Sequence, residues 1–127
     1  MNKSLREHDY LSHIEEAICR IQRYLEGKTE QDFLSDSLIQ DAVIRNLEII
    51  GEAVTKLGPD LKEQYKHVPW GEIAGMRNRL IHGYFAVNLR IVWDTVEKVL
   101  PGFLAKVNDI QRQLQQPRPF GPNGGRP

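Results

Sequence analysis

Apolar residues along the chain recur every three to four positions, the period of α-helices that bury one face. From Ser4, a candidate N-cap with Glu7 three residues on, the positions Leu5, Leu11, Ile14, Ala17, Ile18, Ile21, Tyr24 and Leu25 predict a first long helix ended by Gly27. A polar connector, residues 28–31, leads to a short apolar knot of Phe33 and Leu34 that can dock on the bundle. Ser35, Asp36 and Ser37 offer caps for a second long helix. Its buried stripe is predicted as Leu38, Ala42, Val43, Leu47, Ile50, Val54 and Leu57, and Gly58-Pro59 stops it. Residues 60–66 read as a short helical turn. Pro69 opens a third helix striped by Trp70, Ile73, Met76 and Leu80, which ends near Gly83. A last helix begins around Asn88 and carries Val92, Val96, Val99, Phe103, Val107, Ile110 and Leu114. Pro101 lies inside it and lacks an N–H, so a kink or break is predicted near Leu100. No strand-like alternation and no internal repeat competes with this pattern.

The predicted fold class is therefore all-α, an up-and-down bundle of four to five helices. Residues 1–114 form one domain, and residues 115–127, dense in proline and glycine, form a disordered tail. A length of 127 residues suits a single core, and 40% hydrophobic with 27% charged residues is the balance of a soluble globular chain. No run of about 18 apolar residues is present, so no membrane span is expected. The N-terminal residues have no apolar signal core, so a cytoplasmic location is expected. Cys19 is the single cysteine, falls among apolar helical positions and reads as a small core residue.

Charge changes the picture by what it removes. Seventeen basic residues balance seventeen acidic ones, so any nucleic-acid site has to be local rather than spread over the surface. His8, His13, His67 and His82 lack the paired spacing and nearby cysteines that zinc wants, and neither a metal nor another cofactor is expected. In the second long helix, Gly51 stands mid-helix, where a glycine costs roughly 1 kcal/mol unless the missing side chain permits close packing. Glu48 and Glu52, at i and i+4, form either a solvated acidic face or a pair neutralised by Arg45, Arg77 or Arg79.

The candidate chemistry is concentrated in residues 76–84, MRNRLIHGY, which hold Arg77, Asn78, Arg79, His82 and Tyr84. On spacing alone these cations could simply favour a helix C-terminus. Arg77 and His82 point about 140° apart on a helix, whereas Arg79 and His82 are i, i+3 neighbours, so geometry does not select one arginine. As a functional unit the stretch suits RNA cleavage, because RNA carries its own nucleophile, the 2′-hydroxyl. A base must take that proton, an acid must protonate the leaving 5′-oxygen, and a cation must steady charge on phosphorus. Histidine can fill either proton-transfer role near neutral pH, and the arginine fork suits phosphate. One motif supplies one histidine where two proton-transfer groups are wanted, so a two-fold homodimer with both motifs facing one cleft is expected. Metal-assisted cleavage is disfavoured, since no carboxylate set near the motif could hold magnesium.

The arrangement R-N-x-x-x-H-x-Y, together with DAVIRNLEIIGEAV upstream, PWGEIAGMRN at the helix entry and IVWDTVEKVLPGF downstream, resembles the HEPN superfamily and within it the HepT-like toxins. The resemblance spans residues 9–110. It implies an all-α homodimer, or a higher oligomer, with a metal-independent endoribonuclease site shared between protomers. Arg77 and His82 match the family's catalytic positions, and Asn78 its polar residue that orients phosphate or histidine. Arg79 is a supporting residue with no role selected. The resemblance further implies a toxin–antitoxin pair, transfer RNA as substrate, and a cognate nucleotidyltransferase antitoxin that attaches AMP to Tyr84. That group would bring bulk and negative charge to the site where RNA phosphate binds. An interface or core-edge role for Tyr84 is the alternative. The chain departs from the family at Asn88, where relatives often carry an acidic residue. The competing function is a non-enzymatic HEPN-type module that binds a nucleotide or a partner protein, with which the neutral net charge agrees.

Overall fold

The computed structural model describes residues 3–82 and 88–115, with side chains in that range except those of residues 3–5, 77 and 80–82. Every regular element among them is helical: α1 Lys3–Tyr24, α2 Glu30–Leu34, α3 Ser37–Lys56, α4 Pro59–Gln64, α5 Trp70–His82, α6 Leu89–Asp94 and α7 Leu100–Gln115. A π-helical stretch, Thr95–Val99, joins α6 to α7 without interruption, so the described chain contains four long helices and two short ones. The expectation of four to five helices falls short because both short connections are themselves helical. Thr29 and Asp32 close a reciprocal capping box at α2, and Pro59 occupies the first turn of α4. The Thr29 backbone N–H and hydroxyl beside the Asp32 carboxylate hold its pKa below the usual carboxylate value.

The core follows the helical period closely. Leu11, Ile14, Ile18 and Ile21 of α1 and Val43, Leu47, Ile50 and Val54 of α3 are all fully buried. Helix α3 packs between α1 and α5, and α7 packs on α1. Phe103 and Val107 of α7 and Val92 and Val96 upstream complete the interior. Gly27, at φ 74°, turns the chain out of the first helix in the left-handed region that glycine favours. Gly51 is buried within α3.

Four expectations are corrected. Leu38 is 79% exposed, because it lies five residues before Val43 and is rotated about 140° from it, whereas Ile39, four residues before, packs against the core. Cys19 follows the buried Ile18 by about 100° of rotation and is exposed. Ser4 lies inside α1 rather than ahead of it, and the Glu7 carboxylate instead accepts the N–H of Gly58 at 3.0 Å, where α4 begins. Pro101 neither breaks the helix nor ends it. The π stretch just upstream, in which the Leu100 N–H donates to the Thr95 carbonyl, widens the ladder where the proline ring would crowd it. At the C-terminus Leu114 is partly exposed and Gln115 is still helical, while the rest of the predicted tail, residues 116–127, lies outside the described residues.

Candidate active site

Helix α5 holds the candidate stretch, and its first half is an anchor. The Trp70 indole N–H donates to the Tyr65 carbonyl at 3.1 Å, and its ring meets Phe103 of α7 edge-on with centroids 5.9 Å apart. Ile73 and Met76 continue the buried face, which lies against α3. Gly71, Glu72, Asn78 and Arg79 occupy the opposite, exposed side. Tyr65, which receives Trp70, donates its own hydroxyl to Gln113 Oε1 at 2.6 Å, and burial pushes its pKa above the ordinary tyrosine value.

The backbone places Arg77 and His82 in the last two turns of α5. Their side chains, and Tyr84 with the whole of residues 83–87, lie outside the described residues. In helical register, the Arg77 position falls two turns beyond Trp70, within about 20° of it, whereas the His82 position falls between those of Asn78 and Arg79. One helix therefore brings the Asn78, Arg79 and His82 positions to a common side and sets Arg77 on the neighbouring one. The guanidinium of Arg79 folds back along the helix, so that a Cβ on Gly75 would meet its Nη1 at 3.8 Å.

The acidic pair of α3 finds local partners. Glu48 pairs with Arg45 at 3.7 Å and Glu52 with Lys56 at 3.6 Å, both across exposed surface. Among the described residues no cluster of three His, Cys, Asp or Glu side chains could hold a metal ion. No described helix is long and apolar enough to cross a membrane.

One polar residue of the scaffold escaped the sequence pattern. Asn46 is only 5% exposed, accepts from Arg20 Nε of α1 at 2.9 Å and donates to the Ala42 carbonyl at 2.8 Å. Its position, three residues after Val43 within the apolar stripe, was the available signal.

Across residues 14–110 the sequence matches the family profile described as ribonuclease HepT-like. The chain belongs to this HEPN family. Among curated relatives it is 44% identical over 107 residues to a Methanocaldococcus jannaschii protein named "Gamma-glutamylcyclotransferase and putative RNase", a match covering 84% of this chain. The chain spans only 48% of that relative's length. It is 46% identical over 102 residues to a "Putative RNase" of Caldanaerobacter subterraneus subsp. tengcongensis, covering 80% of this chain and 90% of the relative. It is 43% identical over 104 residues to the "Probable ribonuclease HepT" of Thermococcus cleftensis, covering 82% and 94% respectively. No solved structure matches the chain. In this HepT-like chain Asn88 has a simple local role. Asn88 caps α6, its Oδ1 accepting from the N–H groups of Arg90 at 3.0 Å and Ile91 at 3.2 Å, a role that a carboxylate oxygen performs equally well.

Proposed function

We propose that this HepT-like chain is the toxin of a toxin–antitoxin pair, a metal-independent endoribonuclease that works as a homodimer of up-and-down bundles in the cytoplasm. The observation that carries the reading is the family match over residues 14–110, a span that includes Arg77, Asn78, His82 and Tyr84. The 2′-oxygen of the substrate attacks the adjacent phosphorus, the P–O5′ bond breaks, and the products end in a 2′,3′-cyclic phosphate and a 5′-hydroxyl. His82 of one protomer takes the 2′-hydroxyl proton, and the His82 position of the second protomer supplies the proton to the leaving oxygen. Arg77 steadies the charge on the five-coordinate phosphorus, and Asn78 orients the phosphate or the histidine. Transfer RNA is the substrate class proposed. The exposed placement of Asn78 and Arg79 on the side of α5 that also carries the His82 position supports substrate access there.

Silencing is proposed to come from a nucleotidyltransferase antitoxin. The Tyr84 oxygen attacks the α-phosphorus of ATP, pyrophosphate leaves, and the attached AMP places a negative phosphate where RNA phosphate binds. Incubation with total RNA in chelator is expected to yield discrete fragments ending in cyclic phosphate. His82→Ala and Arg77→Ala are each expected to abolish cleavage while the protein remains a folded dimer by light scattering. Cleavage by His82→Ala at the parent's rate would make the site assignment wrong. Absence of any cleavage by unmodified parent would favour the non-enzymatic binding module. Peptide mass mapping after incubation with the antitoxin and ATP is expected to place one AMP increment on the Tyr84 peptide, and equal labelling of Tyr84→Phe would sink that assignment.

A further inference from the structure

Arg79 is the one cation in the stretch of residues 76–84 whose side chain is described, and nothing in the reaction above uses it. It is exposed, and none of the described ion pairs or side-chain hydrogen bonds includes it. The acids on α3 that could have taken it are paired with Arg45 and Lys56. A guanidinium left in this state on a chain of zero net charge is free to pair with an anion brought from outside.

Its direction narrows the choice of anion. The side chain runs back toward the helix N-terminus and lies over Gly75, with Nη1 at ordinary contact distance from where a Cβ would stand. Seven residues separate Gly75 from His82, which is about 10 Å along the axis. Held there, the guanidinium is offset toward the helix N-terminus from the His82 position, where the reacting phosphate is proposed to bind. It can reach a phosphate further along the same strand. The outer side of α5 is open for such a strand, since Gly71 and Gly75 project no side chain there and a Cβ on Gly71 would meet nothing within 4 Å.

We propose that Arg79 binds a backbone phosphate of the RNA flanking the scissile linkage, and so sets which linkage enters the site. This rests on the ribonuclease reading above. Arg79 is thereby a substrate-positioning contact that holds RNA before and during the reaction to the same degree, so its loss acts on KM and leaves kcat in place.

The test uses the full chain and total tRNA as probe, with steady-state cleavage by Arg79→Ala and Arg79→Lys and equilibrium binding of labelled tRNA in a His82→Ala background across a KCl series. Arg79→Ala is expected to raise KM and Kd about five- to tenfold, keep kcat, and flatten the slope of log affinity against log salt by about one phosphate contact. Arg79→Lys is expected to keep the slope and recover part of the affinity, because the charge remains and the fork is lost. Arg112→Ala, which removes a cation already paired with Asp109 on α7, is expected to leave KM, Kd, kcat and the salt slope unchanged. Unchanged KM and slope in Arg79→Ala, or a fall in kcat at saturating RNA, would overturn the assignment while the ribonuclease reading stands. A parent protein that neither cleaves nor binds tRNA would overturn both.

Discussion

Replacing Trp70 by phenylalanine isolates what fixes α5 to the bundle. The substitution keeps an aromatic ring against Phe103 but removes the indole N–H that donates to the Tyr65 carbonyl at 3.1 Å in a buried setting. That hydrogen bond contributes about 1 kcal/mol net. The Tyr65 carbonyl keeps a second donor, the Val68 N–H at 3.0 Å, so no large penalty for an orphaned acceptor is added. The smaller ring forfeits part of the packing of a residue only 7% exposed, about 1–2 kcal/mol when scaled from aromatic truncations. The total, about 2–3 kcal/mol, corresponds to a fall in Tm of roughly 10 °C for a domain of this size. Urea unfolding is the assay. Trp93 then remains the sole tryptophan of the chain's two, and its ring packs on Phe33 with centroids 5.8 Å apart, so its fluorescence reports the bundle in the variant. The urea midpoint should drop with the slope unchanged. Because Trp70 precedes His82 by twelve residues, about 18 Å of helix, RNA cleavage by the folded variant at 25 °C should stay within about twofold of the parent. A loss below about 0.5 kcal/mol would refute the anchoring argument.

Two further outcomes test the scaffold behind the site. Burial raises the folded-state pKa of Tyr65 above its unfolded value, so the stability it brings is fully present below about pH 10 and is lost as pH rises through the folded pKa. Tyr65→Phe should therefore lose less stability than the parent between about pH 9 and about pH 11 in urea titrations, and identical losses would show that the tyrosine ionises freely in the folded state. Asn46→Ala should cost about 1–2 kcal/mol by removing the acceptor of Arg20 Nε at 2.9 Å from a buried position. A double-mutant cycle with Arg20→Ala should return a coupling of at least about 0.5 kcal/mol, and strict additivity would show that the bond between α1 and α3 contributes nothing.

The helical architecture was legible because each long helix buries one face against a neighbour, and burial imposes the 3.6-residue period on the sequence. Leu11 through Ile21 and Val43 through Val54 show this directly. The misreadings arise where spacing was followed without rotation. Leu38 is four residues from Ala42 but off the stripe set by Val43 and Ile50, and Cys19 is apolar in type yet turned outward. Pro101 predicts a kink or a break near Leu100, and there the ladder is disturbed without a break, by a π stretch spread over Thr95–Val99, an adjustment that no single residue announces. Long-range polar links such as Arg20 with Asn46, or Glu7 with Gly58, join residues far apart in sequence and leave no periodic trace. The candidate residues themselves were visible as a dense polar stretch. What the stretch alone could not separate was Arg77 from Arg79, since both are cations within reach of one histidine.

The fold bears on that separation through the division of labour along α5. Trp70, Ile73 and Met76 fix its first half by burial, so the last two turns project from a rigid base rather than from a loop, which suits chemistry that tolerates little misplacement. On such a base, register decides what each residue can touch. The Arg77 position is in phase with Trp70 along the helix, and the proposed function gives it the charge on phosphorus. Arg79, on the open side, folds its guanidinium back over Gly75, which stands about two turns before the His82 position. On the proposed reading, two arginines separated by a single residue would then serve different parts of one polyanion. If the proposed roles hold, stabilising charge at phosphorus and holding the strand in register fall to different side chains, and the measurable distinction between them is kcat for Arg77 and KM for Arg79.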